Sequence, residues 1–464
     1  MIVACANFMQ NLDSTVIATA LPAIGLSLGE DPLRLNLAIT SYLLSLAIFI
    51  PLSGWTADRF GARTVFRLAI FGFILGSIGC GFANSLTELV IARILQGIGG
   101  AMMVPVGRLV LLRSVPKSEL VSAMAYLTVP ALIGPVIGPP LGGLIVTFFS
   151  WHWIFFINAP IGLLGIVLVT YLIPDVREPH PGRFDLPGFA LAALGLVGLV
   201  FGFETVGRGA VPVWVTLCLL VAGALAIIGY LVHARGNEAP IVDLGLFSLP
   251  TYRAAVVGGF LFRIGVGGLP FLLPMLLQVG FGLSALSSGL ITFASAAGAL
   301  TMKLTAGPII RAIGFRRVLL WNVGLSSLFL FAYGFFQSTT SHLVIFLALV
   351  AGGFFRSLQF TATATLTFAD VPPRRMSRAT SLSSMMQQLS LSIGVALGAL
   401  ILHLSVGYRD GVGLEPQDFL PAFIGIGLVS LTSVFMFLPL AADAGAEVSG
   451  HGGSPRERRA QNAD

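Results

Sequence analysis

Residues 54–63 read Gly54-Trp55-Thr56-Ala57-Asp58-Arg59-Phe60-Gly61-Ala62-Arg63, and a degenerate copy returns 253 positions later, with Gly307, Gly314 and Arg316 where Gly54, Gly61 and Arg63 stand. Gly99-Gly100 returns as Gly352-Gly353 at the same offset. One shift that matches two separate segments marks an internal duplication. Both copies of the decapeptide sit between long apolar runs, so the repeated unit is a set of hydrophobic segments joined by short polar loops.

Fourteen such runs are visible, near 2–24, 36–56, 64–83, 88–110, 122–148, 153–173, 187–206, 212–233, 254–278, 285–308, 317–336, 343–366, 379–406 and 420–440. A bilayer core of ~30 Å takes about 20 apolar helical residues per crossing. Membrane strands run only about 9–11 residues with alternating polarity, so these are helices. The offset pairs spans 1–6 with spans 9–14 and leaves spans 7 and 8 as an insertion. The expected fold is an all-α membrane protein of two six-helix bundles plus two inserted helices. Its parts would be an N-terminal bundle at 1–173, a linker with the inserted spans at 174–240, a C-terminal bundle at 241–440 and a disordered tail at 441–464, rich in Ala, Gly, Ser, Glu and Arg. Two halves related by a repeat, with the substrate path between them, are the architecture of a transporter.

Composition agrees. Only 10% of the residues are charged and 56% are hydrophobic, against roughly 25% charged in a soluble domain; the mean hydropathy is +0.93. The net charge of +6 does not indicate nucleic acid, because the basic residues are spread over short loops. With the N-terminus inside, eighteen Lys and Arg fall on the cytoplasmic side and three opposite, a bias that places both termini in the cytoplasm. All five tryptophans, at 55, 151, 153, 214 and 321, fall at span ends. The first run carries Asp13 and has no basic leader, so it reads as a span and not a cleaved signal; the chain starts almost directly in it, as if a short cytoplasmic leader were missing. Cys5, Cys80 and Cys218 lie singly in apolar runs and no HExxH spacing occurs, so no disulfide framework, metal site or cofactor is expected. No nucleotide-binding loop or catalytic triad is present, which argues against an enzyme.

Polar residues inside the spans carry the chemistry. The 54–63 loop sets an acid beside basic residues in a tight turn, which can form a breakable charge network. It resembles the loop signature of the major facilitator superfamily, and the resemblance implies a conformational lock formed by Gly54, Asp58, Arg59, Gly61 and Arg63. Arg311 stands where the second copy would carry the acid, so the lock is asymmetric. Span 4 holds Arg93-Ile94-Leu95-Gln96-Gly97-Ile98-Gly99-Gly100. An arginine within a span is functional by default, and the run resembles the superfamily's fourth-helix motif, which implies that Arg93 takes part in proton coupling. The alternative is an arginine snorkelling from the span end, ~8 Å away by helix rise.

Span 5 holds Gly134-Pro135-Val136-Ile137-Gly138-Pro139-Pro140-Leu141-Gly142-Gly143. It is similar to the antiporter motif of drug-exporting branches, which implies export over uptake, and it departs from the usual pattern at Pro130 and Pro139. A packing helix without directional meaning is the other reading. Span 1 places Asp13 after Asn11-Leu12. A carboxyl this deep is costly as a charge and can bind and release a proton; a structural acid bonded to a neighbouring helix is the alternative. These segments together resemble the fourteen-span drug:proton antiporter branch, and Gly100-Ala101-Met102-Met103-Val104-Pro105-Val106-Gly107-Arg108, Ser150-Trp151-His152-Trp153 and the stretch from Arg263 to Gln278 resemble most its MdtD-like subgroup.

Five cations lie within spans: Arg93, Arg108, Arg263, Lys303 and Arg356. Asp13 is the clear embedded acid, while Glu88 and Glu204 sit at span ends. The offset sets Arg263 opposite Gln10, one turn from Asp13, so Asp13 and Arg263 are expected at similar depth across one cavity. This excess of positive charge favours a substrate with anionic groups, a carboxylate or a chelate, whereas the resemblance favours drug-like amphiphiles. Candidate substrate ligands are Gln10, Asn11, Gln96, Arg263, Gln278, Arg356, Gln359 and Gln387. The expectation is a proton-coupled exporter of small molecules in a bacterial inner membrane, acting as a monomer, with a periplasmic adaptor left open. An uptake symporter and an uncoupled facilitator or channel remain as alternatives.

Overall fold

The computed structural model describes residues 2–114, 120–173, 184–206, 212–237, 240–372, 375–409 and 413–449. The expected linker at 174–183 and the tail beyond 449 lie outside these, as does the side chain of Arg108. The described residues are helical nearly throughout. In the first half the order is α1 (Ile2–Leu28), α2 (Asn36–Phe49), α3 (Leu52–Phe60), α4 (Ala62–Gly81), α5 (Leu86–Ser114), α6 (Leu120–Phe148), α7 (Trp153–Phe156) and α8 (Asn158–Leu172). Two more helices follow, α9 (Leu186–Thr205) and α10 (Val213–Gly236). The second half comprises α11 (Pro250–Gly267), α12 (Leu269–Met275), α13 (Ala285–Ile313), α14 (Phe315–Tyr333), α15 (His342–Thr367), α16 (Met376–Tyr408), α17 (Phe419–Thr432) and α18 (Val434–Phe437), with a last short helix α19 (Ala446–Ser449).

Among the described residues thirteen helical stretches are long and apolar enough to cross a membrane, and Ile133–Phe148, part of the 29-residue α6, is a shorter apolar one. Together they account for the fourteen expected crossings. Two spans are less regular than the run lengths indicate. The second breaks at Ile50-Pro51 into α2 and α3, because proline there cannot donate to the preceding turn. The ninth changes direction at Gly268 and ends in a π-turn, Leu276–Gly280.

The duplication is visible in the backbone. Gly61 (φ 91°) and Gly314 (φ 85°) close one helix and open the next in their halves, a conformation that favours glycine because it lacks a Cβ. Gly54 and Gly307 behave differently: a Cβ added to either would meet open space, so close helix approach is not their role. Arg63 reaches the carbonyl of Ile173 (3.5 Å) and Arg316 that of Leu438 (3.1 Å), each at the end of the last span of its own half. Helix pairing repeats too. α1 packs on α6 as α11 packs on α16, α4 on α5 as α14 on α15, and α4 on α8 as α14 on α17.

The halves meet along α6 with α13 and α2 with α16. α6 carries two small-residue stripes. Gly134, Gly138 and Gly142 seat the backbone and side chains of α1 from Phe8 to Val16, while Gly143 and Pro139 face Ala285, Leu286 and Gly289 of α13. A Cβ at Gly143 or Gly289 would collide with main chain of the other half. This contact lies toward the face opposite the one where α1 begins, called here the far face. Gln278, in the π-turn, also spans the halves there by donating to the carbonyl of Thr19 at 2.9 Å.

The hairpin α9–α10 lies against the α2–α16 seam through α9. Only 17% of the most apolar window of α10 is buried, against 78% for the ninth span, so α10 is left facing lipid. Asp185 caps α9 through Gly188 N–H (3.0 Å), pairs with His233 of α10 (2.7 Å) and accepts from Ile241 N–H (3.3 Å), which ties the hairpin to the strand of chain leading into the second half. Burial pushes the Asp185 carboxyl up, but the hydrogen bonds from His233, Gly188 and Ile241 outweigh it and hold the group below the usual carboxylate range.

Candidate functional site

Asp13 sits midway along α1 with a side chain 1% exposed, and Arg93 on α5 is fully buried beside it. Arg93 Nη1 donates to Asp13 Oδ2 at 2.6 Å and to Gln96 Oε1 at 2.6 Å, while Nε donates to the carbonyl of Ala38 on α2 at 2.9 Å. The guanidinium also stacks over the Tyr42 ring, 4.2 Å from its centroid. The other carboxylate oxygen, Asp13 Oδ1, accepts from Gln96 Nε2 (2.9 Å) and Asn158 Nδ2 (3.0 Å). Asn158 at the start of α8 donates in addition to Ser77 Oγ on α4 at 3.0 Å. Five helices of the first half thus converge on one carboxyl group.

The geometry excludes snorkelling for Arg93, since the guanidinium turns inward to an acid and carries no exposure. Among the described residues Asp13 makes its hydrogen bonds and its ion pair within the first half, and Arg263 is not one of its partners. Gln96 is relocated as well, because both ends of its amide are spent on Asp13 and Arg93 and the side chain is fully buried.

Among the described residues the second half has no ion pair buried on both sides as that of Asp13 and Arg93 is. Arg263 on α11 is 9% exposed, lies over the Phe360 ring at 5.0 Å and forms no ion pair among the described residues. It lines a narrow cleft with Phe260, Thr367, Ser383, Met386 and Gln387, too tight in this conformation to admit a water-sized molecule. Gln387 donates to Ser383 at 3.3 Å in the same cleft. Arg356 on α15, half-buried, donates to Ser295 Oγ of α13 at 2.6 Å.

The remaining candidates divide. Gln359 is fully buried and accepts from Asn322 at 3.0 Å, so it joins helices within the second half. Asn11 donates to its own helix at Asn7 O (2.8 Å), and Gln10 is buried with its carbonyl oxygen unpartnered among the described residues. Gln278 belongs to the far-face contact between halves. In the loop, Asp58 and Arg63 are half-buried while Arg59 and Gly54 are exposed.

Two features escaped the sequence reading. Asn158 and Ser77 carry no motif and sit in apolar runs like many packing residues. Glu204 is no solvated span end: it is 4% exposed and accepts from fully buried Asn36 Nδ2 at 2.8 and 2.9 Å, so the inserted hairpin brings a second buried acid to α2. Its position near the end of an apolar run hid that.

Known proteins resemble this one at two levels. At the level of fold, a D-xylose–proton symporter superposes with a TM-score of 0.69 at 15% identity, covering 96% of this chain and 98% of its own. A POT family peptide transporter gives 0.68 at 17% identity, covering 94% and 95%. At the level of sequence, a protein of Escherichia coli O139:H28 named for multidrug resistance, MdtD, is 40% identical over 468 residues, 99% of this chain and 97% of that protein. Its namesake from Salmonella paratyphi B is 41% identical over 407 residues, 87% and 86% of the two chains. The family model described as Major Facilitator Superfamily matches residues 3–253 and 255–460. With thirteen helices long and apolar enough to cross a membrane among the described residues, set in two repeated halves and an inserted pair, this chain belongs to the Major Facilitator Superfamily and is a multi-pass membrane transporter of its MdtD-like subgroup.

Proposed function

We propose that this transporter exports small molecules from the cytoplasm in exchange for protons, with Asp13 and Arg93 as the coupling pair. The observation that carries this reading is the buried Asp13 carboxylate held by Arg93, Gln96 and Asn158. A proton on Asp13 removes the charge that balances Arg93. Losing one partner of a buried pair costs about 3–5 kcal/mol, and near-complete reversal of a two-state equilibrium takes about 5.5 kcal/mol. One protonation is therefore of the size needed to favour a different packing of the first half, which alternating access converts into opening on the other face.

The face where α1 begins is taken as cytoplasmic, in a bacterial inner membrane. The main-chain contacts of Gly143 and Gly289 keep the far face closed in this conformation. The glycine stripe of α6, similar to the antiporter motif, and relatives named for multidrug resistance support export. The chain is assigned to four parts, 1–173, 174–240, 241–440 and 441–464, with the inserted hairpin outside the two rocking bundles, and it acts as a monomer.

The substrate site is assigned to the cleft at Arg263 with Gln387, and to Arg356. A buried arginine without a carboxylate is satisfied by an anionic group brought by the substrate. In this conformation the cleft is too tight to admit a water-sized molecule, whereas a drug-sized pocket spans roughly 300–1,000 Å³, so loading requires it to open. Amphiphilic drugs are the second substrate reading, supported by the names of the relatives.

Everted membrane vesicles with a fluorescent pH reporter test the proposal. Addition of substrate should release protons in the wild type and not in Asp13→Asn. Cationic dyes and polycarboxylate anions supplied in turn identify the responding class. Proton release that persists in a correctly inserted Asp13→Asn protein would remove Asp13 as the carrier, and its absence with every substrate tried would favour a facilitator.

A further inference from the structure

Asn158 is fully buried, and only one end of its amide is used. Nδ2 donates to Asp13 Oδ1 and to Ser77 Oγ, both at 3.0 Å, while Oδ1 has no hydrogen-bond partner among the described residues. Ser77 Oγ in turn donates to the carbonyl of Phe155 at 2.8 Å. All three groups bonded to the Asp13 carboxyl, Arg93, Gln96 and Asn158, are donors, so the arrangement suits the ionised acid alone.

A protonated Asp13 carries an O–H that must find an acceptor. Gln96 cannot supply one readily, because its carbonyl already accepts from Arg93 Nη1 at 2.6 Å and from the Cys80 thiol at 3.8 Å. The Asn158 carbonyl is the uncommitted acceptor on a residue already touching the carboxyl. A half-turn of its terminal amide exchanges Nδ2 and Oδ1, which differ little in size. The carbonyl then faces Asp13, and the Ser77 hydroxyl can swing from Phe155 O to donate to it. One end of the amide is unpartnered before the turn and one after, and the Ser77 hydroxyl exchanges its bond to Phe155 O for one to Asn158 Oδ1.

We propose that Asn158 is a positioning residue that adapts to the proton on Asp13, donating to the carboxylate and, after a half-turn supported by Ser77, accepting from the carboxylic acid. This rests on the reading of Asp13 as the proton carrier. Among the described residues, the other titratable or charged groups facing Asp13 are Arg93 on α5, Tyr42 on α2 and Cys80 on α4. α6, α7, α8, α12 and α13 bring none to the cluster among those residues. Arg93, Tyr42 and Cys80 stay unchanged in the variants below.

The test is proton-induced difference infrared spectroscopy on the full-length protein in liposomes, paired with the pH at which substrate-driven proton release is half-maximal. The wild type should show a carboxylic-acid carbonyl band that is lost in Asp13→Asn. In Asn158→Leu, which keeps the number and branching of the side-chain heavy atoms and cannot hydrogen-bond, that band should move to higher frequency. The half-maximal pH should rise by about one unit, because a hydrogen bond to a charged group is worth more than one to a neutral group. Ser77→Ala, a smaller change in a buried site, should shift both in the same direction by less. A role confined to packing would lower the yield of folded protein and leave band and midpoint in place, and that result in either folded variant overturns the proposal. A band that survives Asp13→Asn would instead bring down the carrier assignment on which it stands.

Discussion

Arg63 in the first half and Arg316 in the second each reach the carbonyl at the end of their own half's last span, and Gly61 and Gly314 share one backbone conformation. Arg93 and Arg263 have nothing comparable in common. The first is fully buried with a carboxylate at 2.6 Å and three further acceptor or ring contacts. The second is buried over a phenylalanine ring beside a cleft, with no ion pair among the described residues. Duplication kept the hinge loops, which any rocking bundle needs. It left the membrane-buried charges free to differ, one half holding its arginine against a carboxylate and the other, among the described residues, holding Arg263 without one.

The largest effect should come from breaking the pair in the first half. Asp13→Asn leaves Arg93 buried without its counter-charge, so coupling should fall by at least about 100-fold, in line with the 3–5 kcal/mol expected for such a loss. The double variant Asp13→Asn/Arg93→Gln should recover thermal stability in detergent without recovering proton release. Recovery of both would mean that the pair is structural.

Arg263→Ala should do the reverse, leaving stability unchanged or improved, since an unpaired buried charge is removed. Transport of a carboxylate substrate should weaken by about 10–100-fold, the range of a charged hydrogen bond. Carboxylate transport unchanged from the wild type in both that variant and Arg356→Ala would end the distinction between the halves.

The shared scaffold gives a matched prediction. Gly61→Ala and Gly314→Ala should each lower stability by about 1–3 kcal/mol, the cost of a nearly glycine-only backbone region, readable by thermal unfolding. Gly54→Ala and Gly307→Ala should be close to neutral because their added Cβ meets open space. Loss on one side only would show that the two loops are not equivalent.

The inserted hairpin has no counterpart in either half and offers the smallest effect. Asp185 binds its proton more weakly folded than unfolded. Its contribution is therefore present above the ordinary carboxylate range and is lost as pH falls through the depressed folded value. Asp185→Asn should flatten the acid limb of the stability profile and leave the neutral-to-alkaline limb in place, as measured by melting across pH.

Much of the fold was legible from residue order alone. Asp13 and Arg93 stood out because a charge in an apolar run is conspicuous wherever its helix packs. Gln96 was found by the same signal and given the wrong surroundings. Gly54 stands with Gly61 in the conformational lock that the resemblance implies, although of the two only Gly61 adopts a positive φ.

The sequence by itself determined the number of spans, the 253-residue repeat, the inserted pair and the identity of the embedded charges, because each follows from local composition and its recurrence. Tertiary structure alone decided who meets whom. Asp13 bonds to Arg93 across 80 residues and to Asn158 across 145, and Glu204 to Asn36 across 168. Such partners depend on the rotation of each helix about its axis and on its crossing with neighbours. Helices that are apolar almost all round, as α8, α9 and α10 are, carry no polar face from which that rotation could be read.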